Sequence, residues 1–129
     1  MRAYRLSADG RPAWGSQGVP LSDPAATGHD FSSFGQLDDG RLRAVWVHEQ
    51  GASSAVLDVY LAELTLAGER LVPPAGLPLS TQPRQQLLSG FAYDAERRVG
   101  LALYADSPDA FTTDLGAWDM AATLYEPSP

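Results

Sequence analysis

An internal repeat constrains the fold of this chain more than any other feature of its sequence. Residues 1–22 align without a gap with residues 59–80, at an offset of 58 residues. The aligned identities fall at strand and turn positions: Leu6 with Leu64, Gly10 with Gly68, Gly18 with Gly76, and Pro20-Leu21-Ser22 with Pro78-Leu79-Ser80. Repetition on this scale is typical of stacked supersecondary units, so we expect a layered architecture.

The repeat continues through the rest of the chain. A third partial copy, residues 119–125, places Leu124 on Leu64. We therefore predict one domain over residues 1–129, with repeat units at 11–66 and 69–126 and a preceding strand at 1–8. The middle of each unit aligns at an offset of 57: Phe34 with Phe91, Leu42 with Val99, Ala44 with Leu101, Val45 with Ala102, and Trp46 with Leu103. Three leucines are predicted to be buried at equivalent positions of three strands: Leu6, Leu64 and Leu124.

Both units consist of short apolar stretches separated by turn signals. Hairpin turns are predicted at Asp9-Gly10, Asp39-Gly40 and Ala67-Gly68, because glycine adopts the positive φ that such turns need. The clearest strand is 56–66, and the proline-rich stretch 73–83 is interpreted as an extended crossing between units. No segment of 11 or more residues shows a helical period. The predicted fold class is all-β, with antiparallel four-stranded units repeated about twice.

The second strand of each predicted hairpin is apolar on both faces. In the first unit, Ala44 and Trp46 alternate with Val45 and Val47, and residues 99–104 show the same pattern. A strand that is apolar on both faces is typically covered by packing on each side. We therefore predict that the units stack on one another, with both of these strands buried on both faces.

At this point the pattern resembles the blades of bacterial β-propeller repeat proteins. The resemblance covers nearly the whole chain and implies only a scaffold, because propellers support enzymes, lectins and adaptors alike. The second unit departs from it, with Val72 in place of the tryptophan and Ala95-Glu96-Arg97 in place of the Asp-Gly turn. The motifs that carry it are a strand with Tyr4, the turn at Gly10, Trp14, Gly18 with Val19-Pro20-Leu21-Ser22, an Asp-Gly hairpin, and a strand with Trp46.

Two units and one strand are too few to close a propeller, which has about four to eight blades. Three arrangements stay open. In the first, several copies complete a ring, as a resemblance to short propeller lectins with two blades per chain implies. In the second, one chain forms a single β-sandwich or barrel. In the third, the chain is a part of something longer. In the first two, the strand at 1–8 is predicted to pair with the C-terminal unit or with a neighbouring subunit.

Composition excludes several classes of function. The chain carries a net charge of −7, which gives no electrostatic basis for binding nucleic acid or an anionic membrane. It has no cysteine and no lysine, which removes disulfides, thiolate metal sites, Schiff bases and a P-loop. The lack of lysine, asparagine and isoleucine indicates a GC-rich bacterial genome. Without a signal peptide in the given chain, a cytoplasmic location is expected, or an extracytoplasmic one if the chain is cut from a longer exported protein.

The candidate ligand-binding residues are aromatic and acidic side chains near turns. The two tryptophans lie near glycines, where an exposed indole can stack on a sugar or anchor a peptide, although core packing competes with that role. The three aspartates share one loop but lack the spacing of a calcium loop. His29 and His48 lack metal-ligand spacing, so no catalytic residue, metal or cofactor is predicted. The five candidates are Trp14, Trp118, Asp106, Asp109 and Asp114.

The leading functional hypothesis is a non-enzymatic binding or assembly module on a β-repeat scaffold. It follows from the missing catalytic constellations and from an architecture that presents loops on a rigid frame. One alternative is a sugar-binding, lectin-like oligomer. Another is a small hydrolase or isomerase that uses loop carboxylates with His29 or His48. The expected partners are further copies of the chain, a protein or a carbohydrate.

Overall fold

The computed structural model describes residues 1–22, 29–36, 40–49, 57–81, 85–107 and 119–126, and this part of the chain contains nine β-strands and no helix. The all-β prediction is therefore confirmed. The strands, in chain order, are β1 (Arg2–Ala3), β2 (Val19–Pro20), β3 (His29–Gln36), β4 (Arg41–Glu49), β5 (Leu57–Thr65), β6 (Leu77–Ser80), β7 (Gln85–Asp94), β8 (Val99–Ser107) and β9 (Asp119–Tyr125).

The strands form three layers. Strands β1 and β2 form a two-stranded sheet, which we call the front layer. The other seven belong to one sheet in the order β3-β4-β5-β7-β8-β9, with β6 paired to β5. The single parallel pair Leu57–Gln85 joins its two halves, and all other described pairings are antiparallel. We call β3–β6 the middle layer and β7–β9 the back layer.

The hydrophobic core lies on both sides of the middle layer. On one side, Leu42, Trp46 and Leu64 are buried against residues of the front layer, including Leu21. On the other side, residues of β4, β5 and β6 contact residues of the back layer. The members of this second cluster are Val45, Val59, Leu61 and Leu79 from the middle layer and Ala102, Tyr104 and Tyr125 from the back layer. The middle layer is thus covered on both faces, as its sequence predicted.

The front and middle layers share one backbone pattern at a spacing of 58 residues. Gly10 N–H donates to the Ser7 carbonyl and Gly68 N–H to the Thr65 carbonyl, with φ values of 81° and 89° at the two glycines. The same spacing relates the strand pairs Arg2–Pro20 and Tyr60–Pro78, the pairs Ala3–Val19 and Leu61–Leu77, and the bridges Leu6–Pro12 and Leu64–Arg70. The hairpins predicted at Gly10 and Gly68 are confirmed.

The middle and back layers also correspond, but in a different register from the predicted one. A bulge follows Phe31 in β3 and Leu88 in β7, which lie opposite Trp46 and Tyr104. Trp46 therefore corresponds to Tyr104, and the prediction that it corresponds to Leu103 is wrong. The physical reason is a longer link between equivalent pairs: five residues separate the paired Gln36 and Leu42, whereas six separate the paired Tyr93 and Gly100.

The prediction that three leucines are equally buried is wrong. Leu64 is buried, whereas Leu6 and Leu124 are 61% and 68% exposed. Leu64 lies opposite Leu42, and the corresponding residue of β9, opposite Gly100, is Tyr125 rather than Leu124. Leu124 consequently points to the opposite side of its strand, since a shift of one residue in a strand reverses the face.

Two further expectations need correction. Part of the proline-rich stretch 73–83 is a strand rather than a crossing, because β6 pairs with β5. In the described residues, the N-terminal strand pairs with β2 and not with the C-terminal unit of the same chain. The hairpin between β3 and β4 is present, with Gly40 at a φ of 75°, while Asp39 lies outside the described residues.

Candidate interaction surface

One side of the back layer faces away from the rest of the molecule. Ala102 and Tyr104 of β8 and Tyr125 of β9 point into the core, so alternate residues of these two strands point outward. We call the side formed by these alternate residues the outer face. Its six central residues are Leu101, Leu103, Ala105, Met120, Ala122 and Leu124; Val99 and Ser107 lie on the same side at the two ends of β8, and Ser107 is polar and buried.

The outer face is apolar and open to solvent. All six of its central residues are hydrophobic, and Leu103, Met120 and Leu124 are 41%, 67% and 68% exposed. Cross-strand pairing makes the surface continuous, since Leu103 lies opposite Ala122 and Ala105 lies opposite Met120. A sheet face that borders water normally carries polar residues at such positions. A contiguous apolar face of this kind is a candidate for an interaction site.

The equivalent surface inside the molecule is buried. The β8–β9 pair Leu103–Ala122 corresponds to the β4–β5 pair Val45–Leu61. Val45 and Leu61 have no solvent exposure, because the back layer covers them. The outer face therefore corresponds to the side of the middle layer that the back layer covers. Sequence reasoning placed Leu103 in a strand buried on both faces; it is exposed, so that prediction is wrong for β8.

The opposite end of the molecule has a smaller exposed apolar surface. Tyr4 and Leu6 are 53% and 61% exposed on the side of the front layer that faces away from the core. Met1 and Ala3, on the other side of β1, contact the core cluster between the front and middle layers. We call the surface around Tyr4 and Leu6 the front face.

A buried ionic cluster joins the middle and back layers. The Glu63 carboxylate accepts hydrogen bonds from Arg41 Nη1 at 2.6 Å, from Arg43 Nε at 3.2 Å, and from the hydroxyl of Tyr125. The Arg43 guanidinium lies 3.9 Å from the centre of the Tyr93 ring. Burial, and then the nearby Glu63 carboxylate, raise the pKa of the Tyr125 hydroxyl far above its ordinary value. These groups hold two layers together and keep Tyr125 protonated.

A pocket of about 310 Å³ opens beside this cluster. Its polar walls are Arg41, Glu63, Tyr125 and Glu126, and its apolar walls come from the segment between β5 and β6 and from Leu77. Glu63 accepts hydrogen bonds from three side chains of the protein, and two of these side chains are arginines. The carboxylate is therefore committed to structural contacts.

The structure places the sequence-predicted site residues apart. Trp14 is half-buried, and its indole N–H donates to the Leu66 carbonyl at 3.2 Å, so it joins the front layer to the β5–β6 turn. Asp106 lies in β8, opposite Gln86 of β7 and Asp119 of β9. Trp118, Asp109 and Asp114 lie outside the described residues.

His48 ends the apolar run of β4, with its ring edge-on to Tyr60 at 5.6 Å. His29 begins β3, and only its backbone is described. Within the described ranges, no three His, Asp or Glu side chains come together as a metal site. No helix in this part of the chain is long and apolar enough to span a membrane.

Comparison with known proteins gives no assignment. The chain matches no protein-family model, and no curated protein or solved structure is significantly similar to it. The outer face thus has to be interpreted from its own geometry and composition. The signal for it was present in the sequence, as the two-sided apolar pattern of residues 99–104, but it was assigned to burial within the chain.

Proposed function

We infer that this protein is a non-enzymatic binding and assembly module that self-associates through its outer face. One observation carries this proposal: the six central outward positions on two neighbouring strands are all apolar, and three of their large side chains are substantially exposed. Covering them removes apolar area from water, which is the main favourable contribution to most protein association.

The composition of the outer face supports a protein partner. Aliphatic side chains and methionine complement another apolar protein surface, whereas sugar-binding surfaces depend on exposed aromatic rings and polar groups. The outer face contains no aromatic residue among its six central positions. Trp14, the described tryptophan that was a sugar-binding candidate, is instead in contact with the β5–β6 turn. These observations favour assembly over a lectin-like role.

The same proposal accounts for the layered construction. We propose that the front, middle and back layers are related copies of one propeller-type unit, supported by the hydrogen bonds and strand pairs that recur at a spacing of 58 residues. In such a series each layer buries one face of its neighbour. In the described residues no further layer covers the outer face, and a further sheet is its natural cover.

The test is the oligomeric state of a variant that places a charge at the centre of the outer face. Leu103→Asp should weaken self-association about 30-fold or more, because a carboxylate in a dry interface loses its hydration. Leu71→Asp is the matched control, since Leu71 is similarly exposed at 45% but lies between β5 and β6. Sedimentation velocity over a concentration series measures the effect. A wild-type chain that stays monomeric up to about 100 µM would refute the proposal.

A further inference from the structure

This inference rests on the proposed function and identifies what covers the outer face. We propose that the outer face of one copy binds the front face of a second copy, so that chains associate head to tail. The partner is therefore another molecule of this chain, bound through Tyr4 and Leu6, which follow its β1 strand.

The first argument is the position of the front face in the series of layers. Tyr4 and Leu6 precede Ala62 and Leu64 of β5 by 58 residues, and β1 and β5 share the same pairing pattern with β2 and β6. Ala62 and Leu64 are buried, because the front layer covers them. The front face thus corresponds to the side of the middle layer that the front layer covers.

The second argument is that the covering surfaces also correspond. Met1, Ala3 and Val19 of the front layer cover the middle layer. Residues 58 positions later, Val59, Leu61 and Leu77, meet the back layer. The outer face continues this series through Met120 and Ala122, which correspond to Val59 and Leu61 by strand pairing. Inside the molecule, a surface like the outer face packs against a surface like the front face. We therefore expect an outer face to bind a front face and not a second outer face.

The third argument is charge complementarity between the two ends. Residues 1–22 contain three arginines and one aspartate, whereas the described residues of the back layer and its turns contain five carboxylates and two arginines. Opposite net charges on the two ends steer them together during encounter, while two back layers repel each other. Charge thus favours head-to-tail contact over contact between two outer faces.

A head-to-tail contact is heterologous, so each pair of chains still has one free front face and one free outer face. Further copies add until a ring closes or the assembly becomes open-ended. This property separates the proposal from a symmetric dimer, in which both copies use the same surface and growth stops at two chains.

The experiment mixes two singly blocked variants. Leu103→Asp blocks the outer face and keeps the front face, and Leu6→Asp blocks the front face and keeps the outer face. Leu6 is exposed in the chain, so its replacement leaves the core unchanged. Circular dichroism of each variant confirms that it is folded before mixing. Each variant alone should sediment as a 13.8 kDa monomer, and an equimolar mixture should sediment at twice that mass.

The possible results separate the inference from the proposed function. A mixture that forms a 1:1 dimer, from two variants that are each monomeric, supports the head-to-tail contact. If Leu6→Asp alone associates as the wild type does while Leu103→Asp is monomeric, outer faces bind each other, and the inference fails while the proposed function stands. A mixture that remains monomeric overturns the inference. A monomeric wild type overturns both.

Discussion

Strands β4 and β8 have the same apolar pattern and the same place in their layers, but different surroundings. Both faces of β4 are buried, because the front layer covers one and the back layer the other. One face of β8 is buried, and the other carries the exposed Leu103. The difference shows that a two-sided apolar pattern does not by itself specify that both faces of a strand are covered within the described chain.

The junction of the middle and back layers also differs from the outer face in its charged residues. The β4–β5 pair Arg43–Glu63 is buried at the junction of the middle and back layers, while the corresponding β8–β9 pair is Leu101–Leu124. A buried ion pair requires a partner that supplies matching polar groups, and here Tyr125 does so. The leucine pair requires only an apolar cover. The internal junction is therefore selective for one partner surface, and the outer face is less so.

The largest expected effect tests the comparison at equivalent positions. Val45→Asp should prevent folding or cost more than about 4 kcal/mol, because it buries an unpaired carboxylate between two layers. Leu103→Asp should cost less than about 1 kcal/mol in the monomer, because the side chain reaches water. Urea unfolding, at a protein concentration where the chain is monomeric, measures the loss of unfolding free energy in each variant. Equal losses for the two variants would show that β8 is as enclosed as β4.

The next effect concerns the ionic cluster. Glu63→Ala should cost about 3–5 kcal/mol, because it leaves Arg43 buried without its carboxylate. The double variant Arg43→Leu with Glu63→Leu copies the outer-face pair, and it should be less destabilised than Glu63→Ala, since an apolar pair leaves no unpaired charge at these positions. Thermal melts of the wild type, Glu63→Ala and the double variant measure the order of their stabilities. A double variant that is less stable than Glu63→Ala would contradict this account.

A smaller effect compares the front and middle hairpins. Gly68→Val should cost about 1–3 kcal/mol from backbone strain, with an added penalty because a Cβ at Gly68 would lie 3.0 Å from the Trp14 ring. Gly10→Val is the matched control: Gly10 has a similar φ of 81° but no atom within 4 Å of the added Cβ. The difference between the two melts isolates the contact with Trp14. If Gly10→Val is the more damaging, Trp14 does not restrict the middle hairpin.

Much of the fold could be predicted from the sequence because it depends on local signals. Glycines at turn positions and alternating apolar residues identified the strands and the hairpins at Gly10 and Gly68, and both features act through neighbouring residues. The registers in β8 and β9 could not be predicted. They depend on one additional residue between the paired positions of β7 and β8, and a shift of one position sends Leu124 to the outer face and Tyr125 to the core.

None of the five site residues predicted from the sequence is among the six central residues of the outer face. An assembly module was expected, yet its binding residues were sought among the tryptophans and loop aspartates, because exposed aromatic and acidic side chains are recognisable in a sequence. Leu103 and Met120 look like core residues in any sequence. Only their position relative to the layers shows that the described chain leaves them uncovered.

The smallest expected effect concerns the turn that shifts the register of the back layer. Asp94 accepts hydrogen bonds from the backbone N–H groups of Glu96 and Arg97 and from Arg97 Nη1. These bonds, first the backbone bond from Arg97, lower the pKa of the Asp94 carboxyl. A carboxylate with a lowered pKa stabilises the fold above about pH 4, and its contribution disappears as the pH falls through the lowered value.

Asp94→Asn should therefore be less stable than the wild type at neutral pH, and the gap should narrow as the pH falls well below 4. Urea midpoints measured at both pH values test this. Arg97→Met removes the ion pair but keeps both backbone donors, so it should retain most of the pH dependence. The β3–β4 hairpin has one residue fewer between its equivalent pairs. A gap that stays constant from neutral to acidic pH would mean that the Asp94 charge does not stabilise the turn.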